Sequence, residues 1–415
     1  MSRSLILYLL TGFFSLTLGI LSVSLYSRIL EPNIFGKIAI IILLINFITP
    51  IITLNIQDYF FIQFDTEDIS NENKILTSNL FIIFTTGILG VFFLIFSDIL
   101  NFFELGMTKD IVYSALIVAC LQQMSLIYLI RHQLSAAPRK FLIFKVLTKM
   151  LEVISVFIMI LISPTLQNYV LGLILAGCVL AVYTNSILIA TVAKVSISFS
   201  YILNAAKYGL KVLPYTYVGL ILLLIERNVV VNTVGLEILG LYFVASQIVN
   251  GTFGLLIEAG YKFYQSIIFG RGVKEIMHID ASLIKFFVFV IGCIVISSII
   301  FALVLPIVSK YIVSPNYWDG LVIMPLLCVA NGLVGVFNIF VVFIYKNQKQ
   351  LQLSILSVPI LGISYVLFTK LIPVYGIVGI AYANLISNVL LTSACLVVVF
   401  ATNSLSDWSK MKGEK

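Results

Sequence analysis

Twelve runs of about 20 apolar residues follow one another along this chain of 415 residues. Such a run is long enough, as a helix, to cross the hydrocarbon core of a membrane. Since backbone groups in lipid must bond within their own segment, each run predicts a spanning α-helix. The predicted spans are 5–27, 36–56, 76–97, 111–131, 143–163, 168–193, 212–233, 239–261, 284–308, 320–345, 351–371 and 376–400.

The composition excludes a soluble globular protein. Hydrophobic residues make up 61% of the chain and charged residues only 10%, and the mean hydropathy is +1.13, which is typical of an all-α polytopic membrane protein. The net charge of +7 does not predict a nucleic-acid partner, because the bases lie between apolar runs. The five cysteines lie inside apolar runs without C-x-x-C spacing, so we expect neither a metal site nor a cofactor.

The basic residues lie mainly in alternate connections between the predicted spans. Of the 25 Lys and Arg residues, 19 fall on one side of this scheme. Because Lys and Arg are in excess on the cytoplasmic side of membrane proteins, we place both termini in the cytoplasm. The six exceptions are Arg28, Lys37, Lys109, Lys310 and Lys370 on the opposite side, and Arg227 within a span.

The order of landmarks suggests an internal duplication. Asp110 and Asp319 each precede a span, as do Pro164 and Pro373, and both pairs have the same offset, since 319 − 110 and 373 − 164 are both 209. Two halves of the same orientation would place a substrate cavity between them. We therefore predict two six-helix lobes, at 1–200 and 201–415.

The seventh predicted span carries adjacent opposite charges, Glu226 and Arg227. Ionisable residues at such positions cost about 2.5–3.5 kcal/mol on insertion scales and usually serve a function. Neighbours on a helix point roughly 100° apart, so we expect no mutual neutralisation. At three and four residues' distance Arg227 meets only Leu and Val. Its partner would then be another helix, water or a ligand, unless the side chain extends to the membrane interface.

Several uncharged polar residues recur at helical spacing within the spans. The pairs that share a face are Gln247 with Asn250, Asn331 with Asn338, and Asn384 with Asn388. Such faces either hydrogen-bond to neighbouring helices or line a wet cavity. In the second case we expect Gln247, Asn250, Asn331 and Asn338 to contact the substrate.

Four segments together resemble a known family. They are SRILEPNIFGKIAI (27–40), LPYTYVGLILLLIERNVVV (213–231) with GLYFVA (240–245), SPNYWDGLVIMPLL (314–327) and LIPVYGIVGIAYANLIS (371–387). Their order and spacing resemble the Wzx-type O-antigen flippases of the multidrug/oligosaccharidyl-lipid/polysaccharide exporter (MOP) superfamily, over nearly the whole chain.

The resemblance implies a transporter rather than an enzyme, with two lobes that open alternately to either side of the bacterial cytoplasmic (inner) membrane. The expected substrate is an undecaprenyl-diphosphate-linked oligosaccharide of the O-antigen, lipopolysaccharide or capsule type, moved from the cytoplasmic to the outer leaflet. The expected partners are this lipid-linked glycan, membrane lipids, H+ or Na+ as the coupling ion, and a polysaccharide polymerase.

The resemblance also assigns roles to charged residues. Arg28 and Arg227 would contact the diphosphate headgroup, although Arg28 has Glu31 three residues on as an alternative partner. The family commonly has Asp before the arginine of the seventh helix. Here Glu226 keeps the charge on a longer side chain, and we assign it to ion coupling.

Two other functions compete with the flippase interpretation. A multidrug/cation antiporter would share the fold, but such transporters resemble a site with a carboxylate in the first helices, and 5–26 contains no acid. A membrane polymerase or glycosyltransferase would be expected to carry a large outer loop, whereas the predicted outer connections are short.

Overall fold

The structure is a computed structural model that describes residues 3–64, 70–95, 109–135, 137–192, 196–254, 281–346 and 350–413. These residues are almost entirely helical, which confirms the all-α prediction. The helices are α1 (Arg3–Ser27), α2 (Pro32–Thr53), α3 (Ile56–Ile62), α4 (Asn71–Ile95), α5 (Lys109–Leu134), α6 (Pro138–Ile162), α7 (Leu166–Thr191), α8 (Phe199–Val249), α9 (Ala281–Ile312), α10 (Trp318–Leu321), α11 (Met324–Lys346) and α12 (Gln350–Gly413).

Each predicted apolar run overlaps one of these helices. Nine stretches of the described residues are long and apolar enough to cross a membrane. Two of them, in α8 and α12, are interrupted by a glycine with a non-helical backbone, so each contains two helices. The fifth run corresponds to α6, whose first half is basic. The runs 76–97, 168–193 and 239–261 extend beyond the described residues.

The second helix ends earlier than the predicted run 36–56. Leu54 and Asn55 adopt left-handed backbone conformations, with φ of 44° and 51°. Because side chains disfavour continued left-handed geometry, these two residues end α2 and separate it from α3. The apolar sequence continues across this turn, which explains why the run alone placed the end of the span at 56.

α8 begins at Phe199, well before the predicted run 212–233. The first turns of α8 pack on α3 and on the turn before it: the Tyr201 and Tyr59 ring centroids are 5.3 Å apart, and a Cβ built on Gly209 would clash with the Leu54 carbonyl oxygen. The helix that contains this predicted span therefore begins earlier than the apolar run. Tertiary packing keeps this less apolar segment helical.

Contacts divide the chain into two compact units, Met1–Leu224 and Ile225–Lys415. In the first unit α6 packs against α1 and α7. The Tyr26 hydroxyl donates to the Val153 carbonyl at 3.2 Å, and a Cβ on Gly172 would lie 2.5 Å from the Val156 Cα atom. The lobes 1–200 and 201–415 remain a prediction, because membership of a compact unit is a different property from membership of a repeat.

The second unit is held together by close helix contacts at small residues. α11 packs against α9 and α12, and a Cβ on Gly332 of α11 would clash with the Ser298 Oγ atom of α9. A Cβ on Gly320 of α10 would lie 2.7 Å from the Leu241 carbonyl oxygen of α8. Small residues allow helix backbones to approach this closely. These contacts position the end of α8 beside the rest of the unit.

Candidate functional site

Glu226 and Arg227 are both buried within the second unit. Glu226 is 1% exposed and Arg227 is 8% exposed. The Arg227 Nε atom lies 3.6 Å from the Glu226 Oε1 atom, so the expectation that these neighbours do not neutralise each other was wrong. Both side chains are long enough for their charged ends to meet although their Cβ atoms point apart. The distance is too long for a hydrogen bond.

Two aromatic rings lie next to the Arg227 guanidinium. Its Cζ atom lies 5.9 Å from the ring centroid of Tyr242 and 5.2 Å from that of Phe243. At such distances the ring faces attract the guanidinium through cation–π interactions, which do not fix hydrogen-bond directions. Among the described residues, neither Nε nor Nη1 of Arg227 has a hydrogen-bond partner although both atoms are buried. The site therefore holds a buried cation with unused hydrogen-bond donors.

The Glu226 carboxylate is held from another helix. Asn384 of α12 donates from Nδ2 to Glu226 Oε2 at 2.8 Å and to the Tyr242 hydroxyl at 3.0 Å. The Nδ2 atom of Asn388 donates to the Asn384 Oδ1 atom at 2.6 Å. The other carboxylate oxygen, Oε1, is buried and has no hydrogen-bond partner among the described residues. Asn384 thus fixes one carboxylate oxygen of Glu226, and the other oxygen faces Arg227 in the ion pair.

Gly235 makes this arrangement possible. Glu226 and Tyr242 are sixteen residues apart, which is roughly 24 Å along an unbroken helix. In the structure one Asn384 amide reaches both residues. The chain turns between them at Gly235, with φ 87° and ψ 175°, a conformation that is essentially restricted to glycine. The break in α8 therefore assembles the site.

The other predicted site residues lie outside this hydrogen-bonded cluster. Arg28 is exposed in the turn after α1, and no ion pair joins it to Glu31 in the part of the chain that the structure describes. Gln247, Asn331 and Asn338 are half-buried, and Asn250 is exposed at the start of a π-helical turn, Asn250–Gly254. Sequence spacing had identified Asn384 and Asn388 only as a polar face. Sequence spacing assigned no role to Tyr242, because its contacts lie across the interruption of the helix at Gly235 and follow no helical periodicity.

No group of three or more His, Cys, Asp or Glu side chains suited to a metal ion occurs among the described residues. The chemical resources of the cluster are one carboxylate, one guanidinium, two amides and a phenol. Such a set can form ion pairs and hydrogen bonds with a bound ion, and the guanidinium is suited to phosphate or carboxylate groups.

No family model matches the sequence, and no curated protein matches it. Solved structures do match its fold. The lipid II flippase MurJ, in an inward closed conformation, is similar with a TM-score of 0.68 and 15% identity, over 96% of this chain and 90% of that chain. A multidrug resistance MATE family transporter of the MOP superfamily, in its inward-facing conformation, gives 0.56 and 14%, over 97% and 96%. The chain has the MOP-type transporter fold.

A third MOP superfamily neighbour comes from Pyrococcus furiosus Vc1 (DSM3638) and is described as having a binding pocket of reverse polarity that suggests a different function. Its TM-score is 0.64 at 14% identity, over 97% of this chain and 95% of that one. The fold is thus shared by a lipid flippase and by multidrug transporters. The predicted MOP-type fold is confirmed.

Proposed function

We propose that this protein is a flippase that moves a polyprenyl-diphosphate-linked oligosaccharide between membrane leaflets. The observation that carries the proposal is Arg227, a buried cation whose Nε and Nη1 atoms have no hydrogen-bond partner among the described residues. A guanidinium in this state is suited to phosphate oxygens, which accept two parallel hydrogen bonds from it. A diphosphate headgroup offers several such oxygens on a lipid that the membrane supplies directly.

The MOP-type fold supports a transported lipid substrate, because the similar MurJ structure is that of a lipid II flippase. The finer parts of the proposal follow the resemblance to Wzx-type flippases. They are an undecaprenyl carrier, a glycan of the O-antigen or capsule type, and the bacterial cytoplasmic membrane with both termini inside. Alternating access would be coupled to H+ or Na+ through Glu226, and a polysaccharide polymerase would receive the product.

The remaining polar candidates receive secondary roles in this proposal. Exposed Arg28 would supply a second headgroup contact. Four amide side chains make no hydrogen bond with other described residues, and each is at least partly exposed: those of Gln247, Asn250, Asn331 and Asn338. Amides in this state suit the hydroxyl groups of a glycan, since they both donate and accept hydrogen bonds. The protein changes no covalent bond in this scheme, so it is not an enzyme.

A multidrug/cation antiporter is the second candidate, and a specific observation favours it. Glu226 is a buried carboxylate with one oxygen, Oε1, free of hydrogen bonds among the described residues, and a carboxylate of this kind suits a cationic drug or ion. Arg227 beside it weighs against this function, because its charge offsets that of the carboxylate at 3.6 Å. We therefore place the antiporter second.

Purified protein in liposomes tests the two functions against each other. A flippase should move a polyprenyl-diphosphate oligosaccharide to the opposite leaflet at unchanged molecular mass, as judged by access of an impermeant glycan-modifying reagent and by mass spectrometry. An antiporter should instead accumulate a lipophilic cation in exchange for H+ or Na+ and leave the glycolipid in place. A longer glycan after incubation would contradict both and indicate a polymerase.

A further inference from the structure

We propose that Glu226 and the phosphate group of the substrate compete for Arg227, so that anion binding releases the Glu226 carboxylate. This inference rests on the proposed function, because it takes a phosphate-bearing lipid as the competitor. It joins the separate roles of headgroup contact and ion coupling into a single exchange of partners at one site in the second unit.

The ion pair has the geometry of a contact that can be exchanged. Its atoms are 3.6 Å apart, beyond hydrogen-bonding distance. On the acid, Oε1 has no hydrogen bond with the described residues, and on the base the same is true of Nε and Nη1. A phosphate that takes two hydrogen bonds from the guanidinium would satisfy donors that the carboxylate leaves unused. A phosphate can therefore form hydrogen bonds with Arg227 that Glu226 does not form.

The two charges are also held in different ways. Glu226 Oε2 is fixed by the 2.8 Å hydrogen bond from Asn384, whose own carbonyl oxygen accepts from Asn388. Arg227 is held by the faces of Tyr242 and Phe243, an attraction with little directional demand. A guanidinium in contact with ring faces can turn while its charge stays stabilised. The arginine is thus the mobile partner and the carboxylate the fixed one.

Exchange has a consequence for charge balance. Once Arg227 pairs with a phosphate, Glu226 is a buried carboxylate without a counter-ion, which is costly in a low-dielectric site. Apart from Arg227 on its own helix, the groups that face Glu226 from the described elements packed against it are Tyr242 and the neutral amide of Asn384. A proton or a monovalent cation at Glu226 would restore neutrality. Loading of the anion and loading of the cation would then favour each other reciprocally.

Binding of farnesyl diphosphate to the purified full-length protein tests the exchange. Glu226→Gln removes the competitor and should raise the affinity on the order of tenfold, within the usual range of coupling between two ligands. Glu226→Asp keeps the charge but withdraws it by one methylene, so it should raise the affinity by less. The matched control is Glu237→Gln, the same change at an exposed position of α8, and it should leave affinity unchanged. Arg227→Gln should abolish binding.

The outcomes separate this inference from the function on which it rests. If Arg227→Gln abolishes binding but neither Glu226 variant binds more tightly than the unchanged protein, the exchange is wrong and the proposed anion site stands. Weaker binding by both folded Glu226 variants would mean that the carboxylate positions Arg227 rather than competing for it, which also overturns the exchange. If the unchanged protein does not bind the probe, the proposed function and the exchange fail together.

Discussion

At the scale of single residues, Arg227 is buried beside one carboxylate and two aromatic rings. Arg227 has no carboxylate three or four residues away, and this property made it a candidate site residue in the sequence. Its burial and its two aromatic neighbours disagree with a side chain extended to the membrane interface. The sequence did not predict the pairing with Glu226, because neighbouring Cβ atoms on a helix point apart and only the length of the two side chains brings their charged ends together.

Asn384 gives a prediction at this scale. Asn384→Ala removes the hydrogen bonds to Glu226 Oε2 and to the Tyr242 hydroxyl, and we expect a loss of about 1.5–3 kcal/mol of stability, mainly because the first acceptor is charged and buried. Asn388→Ala is the matched control on the same helix face, since its amide reaches only the neutral Asn384, and it should cost about 1 kcal/mol. Chemical denaturation of both variants in detergent measures the difference. Equal losses would mean that the Glu226 hydrogen bond adds nothing.

At the scale of helices, apolar runs predicted where the spans lie because lipid leaves the backbone few alternatives. They did not predict where packing extends a helix or a glycine interrupts one. The start of α8 at Phe199 depends on contacts with distant Tyr59 and Leu54. The turn at Gly235 depends on a single backbone conformation. Neither feature changes the hydropathy along the chain. The sequence therefore indicated only some of the residues in the candidate site that Gly235 assembles.

Gly235 gives the prediction for this scale. Gly235→Ala places a side chain in a conformation that costs about 1–3 kcal/mol, although a Cβ there would meet no atom within 4 Å. We therefore expect lower thermal stability and weaker diphosphate binding, because relief of the strain would move Tyr242 away from Asn384. The control is Gly219→Ala, also free of contacts within 4 Å but helical, which should be neutral or stabilising by up to about 1 kcal/mol. Similar behaviour of the two variants would contradict the role of Gly235.

At the scale of the whole molecule, hydropathy and charge predicted the fold class, and the MOP-type fold confirms it. The orientation in the membrane rests on the distribution of Lys and Arg. The fold alone shows neither the subtype nor the substrate, because MurJ is only 15% identical to this chain. The proposed function therefore depends on Arg227 and the residues around it.

The orientation is tested by labelling single cysteines in intact cells. Lys140, exposed near the start of α6, is predicted to face the cytoplasm, and Lys109, exposed at the start of α5, is predicted to face outward. An impermeant thiol reagent added from outside should modify Lys109→Cys and should modify Lys140→Cys only after the membrane is opened. The native cysteines are replaced first, because Cys178 and Cys293 are exposed. The reverse pattern would invert the topology.

Transport by Arg227 variants in liposomes tests whether the Arg227 guanidinium binds the diphosphate of the substrate. If the guanidinium grips a diphosphate, Arg227→Ala should lower the rate of glycolipid translocation per folded molecule by at least about tenfold, because a charge-assisted hydrogen bond is worth about 1.5–3 kcal/mol. Arg227→Lys should restore only part of the rate, since an ammonium is a point charge without the planar fork of arginine. Near-normal translocation by well-folded Arg227→Ala, or full activity of Arg227→Lys, would contradict diphosphate binding by the Arg227 guanidinium.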